Sequence, residues 1–175
     1  LAGRNGRCCR FDESDARALG RTASGVRGIN IEDDDEVVGM ITYDPNADDA
    51  AAHSILVVSE NGYGKRSDFE EYRKTNRGGK GVKTLNITEK TGALVAMKNV
   101  TDENDLMIIN RSGITIRMAV SDIRIAGRAT QGVRLINIKE GDSIAAISAV
   151  SKSEEEQTVA PVEAGSAETT EQNNQ

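Results

Sequence analysis

Asn76-Arg77-Gly78-Gly79-Lys80-Gly81-Val82-Lys83 is a pattern this chain writes three times. Upstream it stands as Gly20-Arg21-Thr22-Ala23-Ser24-Gly25-Val26-Arg27, and downstream as Gly127-Arg128-Ala129-Thr130-Gln131-Gly132-Val133-Arg134. An Arg, three residues, then Gly-Val and a base recur with identical spacing. More falls into register around them. A base lies four positions before each Arg (Arg17, Arg73, Arg124), and another lies seven before that (Arg10, Arg66, Arg117). Gly6, Gly62 and Gly113 stand four positions earlier again, where a tight turn would close, and Asn30, Asn86 and Asn137 follow each motif Gly by five. The period is 56 residues from Gly6 to Gly62 and 51 from Gly62 to Gly113. Self-similarity at such a period marks a repeat protein, whose units bury their apolar faces by stacking on one another.

Composition narrows the class. With no Trp, two Phe and three Tyr, the core must be built from Ile, Val, Leu and Ala. Seventeen Gly against two Pro suit many tight turns between short strands. No apolar run reaches the roughly 18 residues that a membrane-spanning helix needs, and no signal-peptide pattern opens the chain. The first copy begins partway through a strand, so we read the chain as the C-terminal piece of something longer. The formal net charge of −6 misleads about partners. Residues 153–175 hold six Glu and no Lys or Arg, which leaves the body with 22 basic and 22 acidic residues. Twelve of those bases occupy the four repeating positions, and placement in register matters more for binding than the total.

Each copy reads as four strands. In the third, residues 106–109 run into the turn Asn110-Arg111-Ser112-Gly113, and 114–118 return as the hairpin partner. A connection then leads to a strand over 132–138, a Lys139-Glu140-Gly141-Asp142 turn and a strand over 143–150. The second copy repeats this at 55–59, 63–67, 81–87 and 93–100, and the first at 1–3, 7–11, 25–31 and 37–43. Four strands per copy with internal hairpins is the signature of a propeller blade, and 3.6-residue periodicity is absent. The expected fold is all-β, with about three four-stranded propeller-like blades at about 1–44, 52–101 and 104–151 within a domain of 1–152. Residues 153–175 are too polar to pack and are expected to be a disordered acidic tail. That tail would be either a solubiliser or a tethered competitor for the basic surface.

The repeated bases carry the chemistry. Arg10, Arg66 and Arg117 fall in the second strand, and Arg27, Lys83 and Arg134 in the third; Arg17, Arg73, Arg124, Arg21, Arg77, Lys80 and Arg128 fall in the connection between them. Equivalent sites on radially repeated blades face one surface. Small residues beside Arg let a polyanion approach the backbone, so that N–H groups join the guanidinium on phosphate. A row of such sites around a curved rim suits bent duplex DNA held through its phosphates. The competing reading is that these arginines staple blades together through Asp12, Asp68 or Asp122, or through carbonyls. Other signals fail. Gly64-Lys65-Arg66-Ser67 lacks the preceding Gly of a P-loop and leads into no helix. Cys8 and Cys9 are adjacent on a strand and point to opposite faces, and the single His53 cannot build a zinc cluster or a triad. The sequons at Asn86, Asn99 and Asn110 have no secretory context.

Asn61-Gly62-Tyr63-Gly64-Lys65-Arg66, the Gly-Arg-x-x-x-Gly-Val units and the acidic tail resemble the C-terminal domain of the DNA gyrase A protein over residues 1 to about 150. The resemblance implies a β-pinwheel of six propeller-like blades, with strands exchanged between neighbours and a rim that wraps DNA. It implies a bacterial, cytoplasmic, nucleoid-associated type IIA topoisomerase that supercoils DNA negatively with ATP. The partners would be double-stranded DNA, the remainder of gyrase A, and gyrase B in an A2B2 heterotetramer. No catalytic residue and no cofactor is expected in this fragment; ATP and magnesium are implied for the holoenzyme only. The family's Gln-Arg-Arg-Gly-Gly-Lys-Gly box belongs to a first blade that is missing here, and residues 76–81 only echo it. Tyr43, Tyr63 and Tyr72 match nothing catalytic. The alternatives are the equivalent domain of topoisomerase IV and a protein-binding propeller scaffold whose rim bases would meet an acidic partner.

Overall fold

A computed structural model describes residues 1–151; the acidic tail expected at 153–175 lies outside the described residues. The β-branched residues and tight Gly turns give eleven strands in three antiparallel sheets. In chain order they are β1 (Ala2–Gly3), β2 (Arg7–Cys8), β3 (Val37–Gly39), β4 (Ser54–Ser59), β5 (Tyr63–Ser67) and β6 (Val82–Lys83). Then follow β7 (Leu94–Val100), β8 (Asn104–Asn110), β9 (Thr115–Ala119), β10 (Val133–Arg134) and β11 (Ile144–Ser151). The only helical pieces among the described residues are four single 3-10 turns, three of them at equivalent places after the second strand of each copy (Glu13–Asp15, Phe69–Glu71, Val120–Asp122).

The hairpin of each copy closes on its expected glycine. Gly6, Gly62 and Gly113 have φ of 80°, 81° and 87°, a left-handed conformation that only Gly adopts without strain. Each donates its N–H back across the turn, to Gly3, Ser59 and Asn110 at 3.1 Å.

The third strand of each copy does not join its own sheet. β6, from the second copy, pairs with β2 of the first, Val82 opposite Cys8 and Lys83 opposite Arg7. β10, from the third, pairs with β5 of the second, Val133 opposite Gly64 and Arg134 opposite Tyr63. The sheets therefore run β3-β1-β2-β6, β7-β4-β5-β10 and β11-β8-β9. Two have four strands, and in each the outer one is borrowed from the next copy. The third has three, and no strand forms over residues 25–31 of the first copy. The expected count of four per blade is met in the first two sheets, by exchange between neighbours, and not in the third; the donated strands are two residues long.

Stacking explains the continuous apolar run at β4. Its whole length is buried. Leu56 and Val58 pack with Val100, Leu106, Ile108, Val120 and Ile123 between the second and third sheets. Ile55 and Val57 point the other way, to Phe69, Tyr72, Leu85 and Met97, beside Ala2 and Cys8 of the first sheet. Alternate side chains of a strand leave opposite faces, so a strand covered on both sides carries a continuous apolar run, here Ile55 to Val58 between Ser54 and Ser59. At about 25 cal/mol per Å² of apolar surface buried, these two layers are the main term holding the three sheets together. Cys8 lies in one layer, and Cys9 faces Thr75 and Asn76 across the first junction.

Candidate nucleic-acid interface

Strand exchange lays each motif against the previous copy. Gly78 donates to the Gly28 carbonyl at 2.9 Å, and Asn30 donates back to Gly79 at 3.0 Å. Asn86 donates in the same way to Thr130 at 3.1 Å. Gly81 and Gly132 enter the borrowed strands with φ of 70° and 77°. A Cβ on Gly81 would stand 2.3 Å from the Cys8 carbonyl, and one on Gly132 2.5 Å from the Gly64 carbonyl. Glycine is required there on both counts.

The motif arginines complete the seam. Arg77 donates Nε to the Asp15 carbonyl at 2.8 Å and Nη1 to the Arg27 carbonyl. One junction on, Arg128 donates Nε to the Glu71 carbonyl at 2.9 Å and Nη1 to the Lys83 carbonyl at 2.8 Å. The second and third motifs are thus each anchored to the terminal base of the one before, and the three join into one row. These bonds leave one terminal nitrogen of each guanidinium uncommitted, in a side chain with five N–H donors.

Of the second-strand arginines, Arg10 and Arg66 go inward and Arg117 is exposed. Arg10 donates Nη1 to the carbonyls of Phe69 (2.9 Å) and Tyr72 (3.0 Å) and lies 5.8 Å from the Tyr43 ring centre. Arg66, only 6% exposed, donates Nε to Ile123 at 2.8 Å and pairs with Asp102. Arg117 pairs within its own sheet with Asp105 at 2.7 Å. Asp12, considered above as a staple, is held instead by Lys74, which keeps its carboxyl well below the usual carboxylate range.

The remaining candidates line the outside. Arg17, Arg21, Arg27, Arg73, Lys80 and Arg124 are exposed, and no hydrogen bond or ion pair among the described residues engages their charged groups. Lys83 reaches Asn86 at 3.2 Å. Arg134 donates Nη2 to the Tyr63 hydroxyl at 2.8 Å and Nη1 to Asn137 at 3.1 Å.

Among the bases at the seams that sequence reasoning passed over are Arg7 and Lys65. Arg7 donates to the carbonyls of Lys80 (3.1 Å) and Gly81 (3.2 Å). Lys65 is fully buried, with Nζ on the Gly127 carbonyl at 2.6 Å directly under the third motif. Burial, with some help from Arg128 and against Glu71, lowers its pKa to about 8. Lys65 stands one period after Cys9, whose thiol meets the equivalent Asn76 carbonyl at 3.7 Å. That register was the signal that could have revealed it.

The family model for the DNA gyrase C-terminal domain, a β-propeller, matches residues 1–44, 53–101 and 104–151. The chain belongs to this family. Among curated relatives of this gyrase domain, the DNA gyrase A protein of Staphylococcus aureus is 48% identical over 149 residues, covering 85% of this chain and 16% of that protein. Its Staphylococcus epidermidis counterpart is 47% identical over 146 residues, covering 83% and 16%. The chain thus spans about a sixth of the length of the curated relatives it matches. A solved DNA gyrase A C-terminal domain superposes with a TM-score of 0.73 at 23% identity, over 84% of this chain and 48% of that one. The C-terminal domain of DNA topoisomerase IV gives 0.76 at 24%, over 86% and 46%. These two likenesses carry the pinwheel fold; the gyrase assignment comes from the family model and the relatives. No helix among the described residues is long and apolar enough to cross a membrane.

Proposed function

We propose that this gyrase-type domain binds duplex DNA through phosphates, without reading bases, and bends it along the row of motifs. The observation that carries this is the linkage of consecutive motifs, Arg77 to Arg27 and Arg128 to Lys83, with uncommitted exposed bases at Arg17, Arg73, Lys80 and Arg124 beside it. In this division Arg10, Arg66, Arg77 and Arg128 fix the curvature. Arg17, Arg21, Arg27, Arg73, Lys80, Lys83, Arg124 and Arg134 face the polyanion, with Arg77 and Arg128 sharing in it through their spare nitrogens. Arg117 stands at the second-strand position where no following copy is described. Bending a site of 20–30 base pairs by 40–90° costs of order 1–6 kcal/mol. Hydrogen bonds to charged groups contribute about 1.5–3 kcal/mol each, so a few contacts per copy offset it.

Within a complete gyrase A protein the domain would present wrapped DNA to a type IIA topoisomerase for negative supercoiling, in a bacterial cytoplasm. ATP and magnesium would act in other parts of that assembly, which on this reading contains the rest of gyrase A together with gyrase B. The chain's affinity for two unrelated duplexes, measured over a range of salt, tests the DNA reading. Expected are equal affinities and a linear fall of log K with log salt, at about 0.9 per phosphate neutralised. Binding to one sequence alone, or to neither, would overturn it, and the latter would favour an acidic protein partner.

A further inference from the structure

At the end of the second sheet beside Arg134, the terminal base of the third motif, three turns converge on an open cleft of about 270 Å³. The β4–β5 hairpin brings Tyr63, the turn before β7 brings Lys90, β10 brings Arg134, and the turn after it brings Lys139, Glu140 and Asp142. Lys90 Nζ and Arg134 Cζ each lie 5.4 Å from the centre of the Tyr63 ring. The Tyr63 hydroxyl accepts from Arg134 Nε at 3.2 Å and Nη2 at 2.8 Å, which leaves its own O–H to donate. Those donors, and to a lesser degree Lys90, pull the phenol below its ordinary pKa, which makes it a better donor to an anion.

The three bases of the cleft (Lys90, Arg134, Lys139) outnumber its two acids (Glu140, Asp142) by one charge. Asp142 is tied to the β8–β9 turn: it accepts from Asn110 Nδ2 at 2.6 Å, Ser112 Oγ at 2.8 Å and Ser112 N at 3.3 Å, and locally from Ser143 N at 2.8 Å. Glu140 is exposed and makes no ion pair among the described residues. Lys139 is also exposed and makes none among them. Two ammonium groups and a phenol proton are therefore available around a fixed guanidinium.

We propose that Lys90, Lys139 and the Tyr63 hydroxyl, with Arg134 behind them, seat one phosphodiester of the DNA backbone. The seat rests on the DNA-binding reading and continues the motif row past its terminal base, Arg134. It belongs to one junction only. In the first sheet Arg7 stands where Tyr63 does and Thr88 where Lys139 does, and the turn that would carry Lys90 is Glu32-Asp33-Asp34-Asp35-Glu36. A phosphate that meets bases at one junction meets a run of acids at the other, so DNA would approach this end of the molecule closely at the second sheet alone.

Lysine acetylation of the full chain, read by mass spectrometry with and without a mixed-sequence duplex at low salt, tests the seat. Lys80 reports the motif row, and Lys98 on β7, away from both, is the internal reference. DNA should protect Lys90 and Lys139 together with Lys80 and leave Lys98 unchanged. The Lys90→Gln/Lys139→Gln double variant should shed about 0.9 from the salt slope, the share of one phosphate. Protection of Lys80 alone, with an unchanged slope in the double variant, would overturn the seat and leave the DNA reading standing. Protection of Lys90 and Lys139 by inorganic phosphate but not by duplex would overturn the backbone assignment in favour of a free anion. Failure of duplex to protect any of the three lysines would remove the DNA reading and the seat with it.

Discussion

Arg66 and Arg73, seven residues apart in one copy, end in opposite surroundings. Arg66 lies on β5, whose side chains leave alternately toward the two neighbouring copies, so its guanidinium is driven onto the Ile123 carbonyl and Asp102. Arg73 follows a 3-10 turn that carries the chain out to the surface. Residue type and spacing were visible in the sequence, but burial was not, because the atoms that bury Arg66 belong to the next copy. Lys65 makes the same point with a measurable consequence. Its folded-state pKa of about 8 lies below the roughly 10.4 of a free lysine. The protonated amine therefore opposes folding, fully so below about pH 8, and the penalty fades as pH rises toward 10.4. The stability of the wild type relative to Lys65→Met should rise between pH 8 and 10, by on the order of 1–2 kcal/mol. Urea midpoints of both proteins across that range measure it. A difference that stays flat would mean the amine is solvated in the folded protein.

At the level of elements, the exchanged strand decides stability. Periodicity and turn glycines located the hairpins, and Gly6, Gly62 and Gly113 close them as read. Nothing local to Gly81-Val82-Lys83 says which sheet it joins, since its pattern suits its own hairpin as well as its neighbour's. The exchange came only through the family resemblance. Its energetic signature is the glycine that precedes each donated strand. Gly132→Ala combines a left-handed φ with a Cβ 2.5 Å from the Gly64 carbonyl. Gly25→Ala carries only the φ of 79°, with nothing within 4 Å. Strained backbone costs of order 1–3 kcal/mol, so Gly25→Ala should fall at the lower end of that range. Gly132→Ala should exceed it by a further 1–2 kcal/mol, on the order of what is lost when a buried group gives up its partner. Equal losses in denaturant melts of the two variants would argue against the exchanged seam.

Across the whole molecule, the apolar layers on either side of β4 fix three sheets in sequence, and the motifs weld their outer edge into one basic row. The all-β repeat was legible because each unit repeats its own turns and strands. The division between bracing and exposed arginines was not, because it depends on contacts with carbonyls 45 to 62 residues away in the chain. That division is the centre of the account, and Arg17→Gln/Arg73→Gln/Arg124→Gln addresses it without touching a seam. The measurement is the slope of log K against log salt for a short duplex, wild type against this triple variant. The account predicts a fall of about 0.9 for each phosphate released, the same on unrelated sequences, with the unfolding midpoint unchanged because exposed substitutions of this kind stay within about 0.5 kcal/mol. An unchanged slope would contradict it.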